Sequence, residues 1–177
     1  MKISVISIIE STSVDGPGLR TTVYCAGCGH RCKGCHNPQS WDIGYGEMVE
    51  VEEIAQRMLA TGENITFSGG DPMFQAEAFG ELAATIKSKS NRNIWCYTGY
   101  KIEQLMRMPK AMELLKNIDV LVDGQFELAL RDENLLFRGS SNQRLIDVKK
   151  TLEMGKAVIY EPMNLLSPLL MKYKINA

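Results

Sequence analysis

The stretch "YCAGCGHRCKGCHNP", from Tyr24 to Pro38, holds four of the chain's five cysteines. Its spacing admits three chemistries. Read as two CxxC pairs, Cys25 with Cys28 and Cys32 with Cys35, it suggests disulfide exchange, which needs an attacking thiol of lowered pKa. Two such pairs abutting in one loop would be unusual. Read as a four-thiolate zinc shell the spacing is permissible, although zinc sites more often draw two pairs from separated knuckles. The third reading takes Cys28, Cys32 and Cys35 alone, a CxxxCxxC. Three thiolates can bind three irons of a [4Fe-4S] cube and leave the fourth open to a ligand from outside the protein. Cys25 then belongs to the preceding strand as a buried small apolar residue, and Cys96 in "IWCY" likewise. Spacing by itself leaves the three readings open.

The elements that must position this loop follow from hydrophobic period. "ISVISII" (Ile3 to Ile9) and "LRTTVYC" (Leu19 to Cys25) predict strands, separated by turn chemistry at "VDGPG". "VEEIAQRMLA" places Val51, Ile54, Met58 and Leu59 on one helical face. "AEAFGELAATIKS" does the same with Phe79, Leu82, Ala83 and Ile86. Between them "NITFSGGDP" reads as a short strand ending in a Gly-Gly pair, and "NIWCYTGY" and "IDVLVDG" repeat the strand-then-glycine plan. Pro109 predicts a break within Ile102–Lys116. Beyond it, "RLIDV" and "KAVIYEP" are weaker strand candidates around a helical turn at "KKTLEMG". Strand and helix in alternation predict a mainly parallel sheet with right-handed crossovers. In such sheets ligands gather at the C-terminal ends of the strands. The cysteine loop, the Gly-Gly-Asp, the Tyr-Thr-Gly and the Val-Asp-Gly should therefore line one rim.

The totals narrow the partners. A chain of 177 residues with 45% hydrophobic content fits a single domain, taken as 1–177 with 149–177 as a C-terminal extension. Twenty basic against twenty-one acidic residues leave a formal charge of -1, which gives no case for nucleic acid or an anionic membrane as the main partner. The N-terminus lacks a long apolar core with a cleavage site, and no run approaches roughly 18 apolar residues. The expectation is a cytoplasmic protein.

Taken in order, "VDGPGLR", the CxxxCxxC, "FSGGDP", "WCYTGY", "IDVLVDGQFE" and "RGSSNQRLID" resemble the radical S-adenosylmethionine (SAM) superfamily. Within it they resemble the glycyl-radical-activating branch, and most closely the activators of anaerobic ribonucleotide reductase. The resemblance covers about Val14 to Val148. It implies an α/β fold, a truncated and partly open parallel (β/α) barrel of the radical SAM type. It implies a [4Fe-4S] cluster held by Cys28, Cys32 and Cys35, whose open iron takes the amino and carboxylate groups of SAM. Reductive cleavage of SAM would then give a 5'-deoxyadenosyl radical that removes hydrogen from a glycine of the reductase's large subunit. A small electron donor such as flavodoxin would supply the electron, and no protein side chain need act as a general base.

Carried over by position, Gly34, Cys35 and His36 lie where the family's loop touches the adenine end of SAM. Gly69, Gly70 and Asp71 match the Gly-Gly-acid motif for its amino group. Two glycines allow close backbone approach and a carboxylate can pair with an ammonium, whereas the bland reading of "GGDP" is a turn. The branch commonly has glycine at position 34, while His36 stands where tyrosine is frequent. Asp123 could hydrogen-bond SAM or cap its turn. "RGSSNQR" (Arg138 to Arg144) could orient a carboxylate or the partner's glycine loop, or be a polar surface turn. The rivals are an activator of another glycyl-radical enzyme, a carboxy-deazaguanine synthase-like enzyme, and a non-catalytic zinc protein.

Overall fold

The computed structural model describes residues 1–161. The tail "NLLSPLLMKYK", a candidate packing helix or docking element, lies outside the described residues.

Seven strands form one sheet: β1 (Lys2–Thr12), β2 (Arg20–Cys25), β3 (Glu47–Glu50), β4 (Asn64–Gly69), β5 (Ile94–Tyr97), β6 (Val120–Asp123) and β7 (Arg144–Asp147). Their hydrogen-bonded order is β3-β1-β2-β4-β5-β6-β7. The middle four, β2, β4, β5 and β6, run parallel, because amphipathic helices carry the chain back over one face between β4, β5 and β6. The outer pairings are antiparallel, which corrects the expectation of a mainly parallel sheet beyond the centre. The reason is local. β1 reaches β2 through a short turn, and the link from β6 to β7 has no crossover helix, so in each case the strand returns against its neighbour. β3 was not foreseen, since Glu47 and Glu50 break any apolar run and the strand serves only as an edge beside β1.

Helices α1 (Val51–Ala60), α2 (Ala76–Lys89), α3 (Ile102–Leu105) and α4 (Pro109–Leu115) follow the predicted periods. Pro109 opens α4 at its first turn, where its missing N–H costs nothing. Helix α5 (Val148–Met154) is started by the Asp147 carboxylate, which accepts from the Lys150 N–H, and is closed by Gly155 at φ 66°. "KAVIYEP" yields only an isolated bridge from Ile159 to Ile146.

Side-chain alternation along the strands divides the sheet into two faces. Val23, Cys25, Ile65, Phe67, Ile94 and Cys96 join the helices in the main core. On the other face Trp95, Val120, Val122 and Leu145 form a smaller cluster with Tyr97, Phe137 and Tyr160. Polar residues of β2, notably Arg20 and Tyr24, occupy that second face. Arg20 is wholly buried; it donates to the Thr66 hydroxyl and to the Ile65 and Asn93 carbonyls, and lies 5.4 Å over the Trp95 ring.

Candidate functional site

A cavity of about 600 Å³ opens on the second face. Its wall draws on all four segments that follow the parallel strands: Cys28, Cys32 and Cys35 after β2, Gly69 and Gly70 at the end of β4, Thr98 and Gly99 after β5, and Gly124 after β6. The single rim read from the strand-then-glycine pattern is thus present.

Parallel pairing of Cys25 with Gly69 brings the cysteine loop beside the Gly-Gly turn. Backbone hydrogen bonds then lock the two together: the Gly70 N–H donates to the Cys25 carbonyl at 2.7 Å and the Asp71 N–H to the Gly27 carbonyl at 2.9 Å. Neither glycine tolerates a side chain. Gly69 sits at φ 107°, and a Cβ there would collide with the Cys25 backbone. A Cβ on Gly70 would lie 2.6 Å from the Gly27 oxygen. Downstream, the Gly27 and Cys28 amides donate to the Ser40 and Trp41 carbonyls, so a 3-10 turn at Pro38–Trp41 braces the start of the loop.

The far end of the loop is built on Gly34 at φ 79°, a left-handed conformation that glycine adopts without strain. A Cβ there would also crowd Leu128 Cδ1 at 3.0 Å. This gives a steric reason for glycine before the last cysteine. The Cys35 N–H donates to the Cys32 carbonyl, and the Asn37 N–H points at the Cys35 sulfur at 3.4 Å. His36 lines the cavity with its ring 5.9 Å from that of Phe126.

The five thiols fall into two environments. Cys25 and Cys96 are fully buried in the main core, and burial pushes both thiols well up, leaving them inert. Cys28, Cys32 and Cys35 are half-exposed and face the cavity. Burial also raises the Cys28 and Cys32 thiols above the ordinary value. Among the described residues no three His, Cys, Asp or Glu side chains are gathered to hold a single metal ion. One zinc requires every thiolate about 2.3 Å from a common point. A [4Fe-4S] cube takes each thiolate on a separate iron, and three thiols spread round one cavity fit that donor set.

Asp71 is almost wholly buried, and its carboxylate accepts from protein donors: the Met73 N–H at Oδ1, and the Thr98 hydroxyl and Gly99 N–H at Oδ2. His30 Nε2 lies 2.9 Å from the same Oδ2. Asp123 is likewise committed, accepting from the Ile102 N–H and from Arg144. Its carboxylate is spent on the start of α3 and on Arg144, not on its own turn with Gly124. Arg144 also forks onto Glu103, whereas Arg138 lines the cavity and, among the described residues, is engaged only through Nη1, on the Gln143 carbonyl at 3.2 Å. The two arginines of "RGSSNQR" therefore have different employment.

Two cavity groups, Asp15 and His30, and the Gln125 amide beside them escaped the sequence reading. Asp15 lines the wall and accepts from the Thr12, Thr22 and Tyr24 hydroxyls, a role that neither the turn reading of "VDGPG" nor the resemblance carried by "VDGPGLR" assigned. His30 and Gln125 meet at 2.9 Å across 95 residues of sequence. The signal for His30 was its place midway between Cys28 and Cys32.

Residues 14–146 match the family described as a 4Fe-4S single cluster domain. The anaerobic ribonucleoside-triphosphate reductase-activating protein of Enterobacteria phage T4 is 37% identical over 139 residues, covering 75% of this chain and 86% of that protein. The proteins of the same name from Haemophilus influenzae and Escherichia coli are 36% and 35% identical, covering 73% of this chain and 88% and 89% of theirs. No helix among the described residues is long and apolar enough to cross a membrane. The chain belongs to the family of anaerobic ribonucleoside-triphosphate reductase-activating proteins.

Proposed function

We propose that this protein activates an anaerobic ribonucleotide reductase by radical SAM chemistry, on a partly open barrel formed by the parallel strands and their rim. The observation that carries the reading is the shared cavity. Three half-exposed cysteines face the Gly69–Gly70 turn across a space of about 600 Å³, while the remaining two cysteines are sealed in the core.

Cys28, Cys32 and Cys35 would hold a [4Fe-4S] cluster with one open iron. When bound, the cluster supplies the electron that cleaves SAM to methionine and a 5'-deoxyadenosyl radical, which takes a hydrogen atom from a glycine Cα of the reductase. Gly34, Cys35 and His36 would border the adenine end of SAM. Gly69 and Gly70 would present their backbone to its amino end, with Asp71 fixing their turn. The partner segment would enter through the cavity mouth near Asp15 and Phe137, and its docking would exclude water from the reacting centre. A small reduced carrier such as flavodoxin would deliver the electron in the cytoplasm.

The test is electron paramagnetic resonance after mixing the reconstituted, reduced protein with SAM and the candidate reductase. A glycyl doublet that requires all three components supports the reading. Formation of 5'-deoxyadenosine without that doublet would move the substrate to one of the rival radical enzymes. Absence of both would refute the radical chemistry.

A further inference from the structure

Four segments of the rim meet on one imidazole. His30 lies in the cysteine loop between Cys28 and Cys32; its Nε2 is 2.9 Å from Asp71 Oδ2, and its Nδ1 is 2.9 Å from Gln125 Nε2. Tyr100 packs edge-on against the ring at 4.5 Å between centroids. Gly99 has no room for a Cβ because the ring fills that space. One neutral tautomer satisfies every contact: Nε2–H donates to Asp71, and Nδ1 accepts from the Gln125 amide, an assignment made from the partners themselves.

The acceptor count of Asp71 sharpens the point. A carboxylate offers about four lone-pair positions. Thr98 Oγ1–H, Gly99 N–H and His30 Nε2–H all converge on Oδ2, and the Met73 N–H takes one position on Oδ1. Oδ2 is thus fully taken by the protein, His30 included, while Oδ1 keeps one position.

We propose that His30 is a positioning residue for SAM: held by Asp71 on one side and Gln125 on the other, it fixes the cysteine loop against the Gly69–Gly70 edge. Asp71 then acts on SAM through His30 and the Gly-Gly turn. The proposal rests on the radical SAM reading above. Groups that orient the ligands of a metal centre typically cost about 10–100-fold in affinity or activity when removed.

The test uses the anaerobically reconstituted protein and titrates SAM against the electron paramagnetic resonance spectrum of the dithionite-reduced cluster. His30→Phe keeps a ring and loses both nitrogens; it should retain full iron and sulfide yet bind SAM about tenfold or more weakly. His30→Gln restores a donor toward Asp71 and should recover most of the loss. Gly99→Ala leaves the cysteine loop's sequence intact and pushes the ring aside, so it should weaken SAM binding similarly. Combined with His30→Ala, which empties that space, Gly99→Ala should add nothing. Unchanged SAM affinity and spectrum in His30→Phe, or additive losses in the double variant, would overturn the proposal. If the unaltered protein gave no spectral response to SAM, the radical SAM reading would itself fail, and this inference with it.

Discussion

Gly70 packs so closely on Gly27 that a Cβ added to it would lie 2.6 Å from the Gly27 carbonyl oxygen. The same oxygen accepts the Asp71 N–H at 2.9 Å. One contact thus joins the turn expected to face SAM to the loop that carries the cysteines. Gly70→Ala must force them apart, at a cost of about 2 kcal/mol by the usual penalty for overpacking. Anaerobic urea denaturation of the cluster-free chain reads that loss. A variant as stable as the unaltered protein would show that the contact yields without strain.

Cys25 and Cys28 are three residues apart and differ in everything else. Cys25→Ala should keep the full complement of iron and sulfide and lose about 1 kcal/mol of stability from the small cavity left in the core. Cys28→Ala, Cys32→Ala and Cys35→Ala should each abolish the cluster. Iron and sulfide analysis after reconstitution decides between them, and loss of the cluster in Cys25→Ala would contradict the assignment of ligands.

Arg144 and Arg138 separate fold from site. Arg144 pairs with the buried Asp123 at 2.6 Å, so Arg144→Ala leaves a carboxylate unpaired in the core and should cost about 2 kcal/mol, part of the pair being open to solvent. Arg138→Ala removes one hydrogen bond to the Gln143 carbonyl and should cost under about 1 kcal/mol. Denaturation curves of the two variants give the comparison; equal losses would place Arg138 in the fold as well.

Glu103 supplies the pH dependence of that corner. Hydrogen bonds from Arg144 hold its carboxyl below the ordinary value of 4.5. A depressed carboxylate pKa contributes stability that is present in full above the unfolded value and is lost as the pH falls through the folded one. The urea midpoint of the unaltered protein should therefore fall more steeply below pH 4.5 than that of Glu103→Gln. Parallel curves would show that the ion pair contributes nothing, as exposed pairs often do.

The parts legible in the sequence are those with short-range signals. Phe79, Leu82 and Ile86 recur at helical spacing and are buried as that spacing requires. The glycines after β4, β5 and β6 announced strand ends, and those ends do share one rim. The antiparallel margins were not legible because direction depends on the connection: the segment between Asp123 and Arg144 has no crossover helix, yet its sequence does not announce the return. The employment of buried polar groups was equally hidden. Asp71 read as a partner for the SAM ammonium or as part of a turn, since its donors Thr98, Gly99 and His30 come from 27, 28 and 41 residues away. Asp123 depends in the same way on Arg144, 21 residues on.

The central claim is that three cysteines leave one iron free for SAM. Its most direct test is chromatographic detection of 5'-deoxyadenosine after the anaerobically reconstituted protein is incubated with dithionite and SAM. 5'-Deoxyadenosine and methionine should form in equal amounts, an outcome retained in Cys25→Ala and absent in Cys28→Ala, Cys32→Ala and Cys35→Ala. A fully loaded protein that leaves SAM intact under these conditions would contradict it.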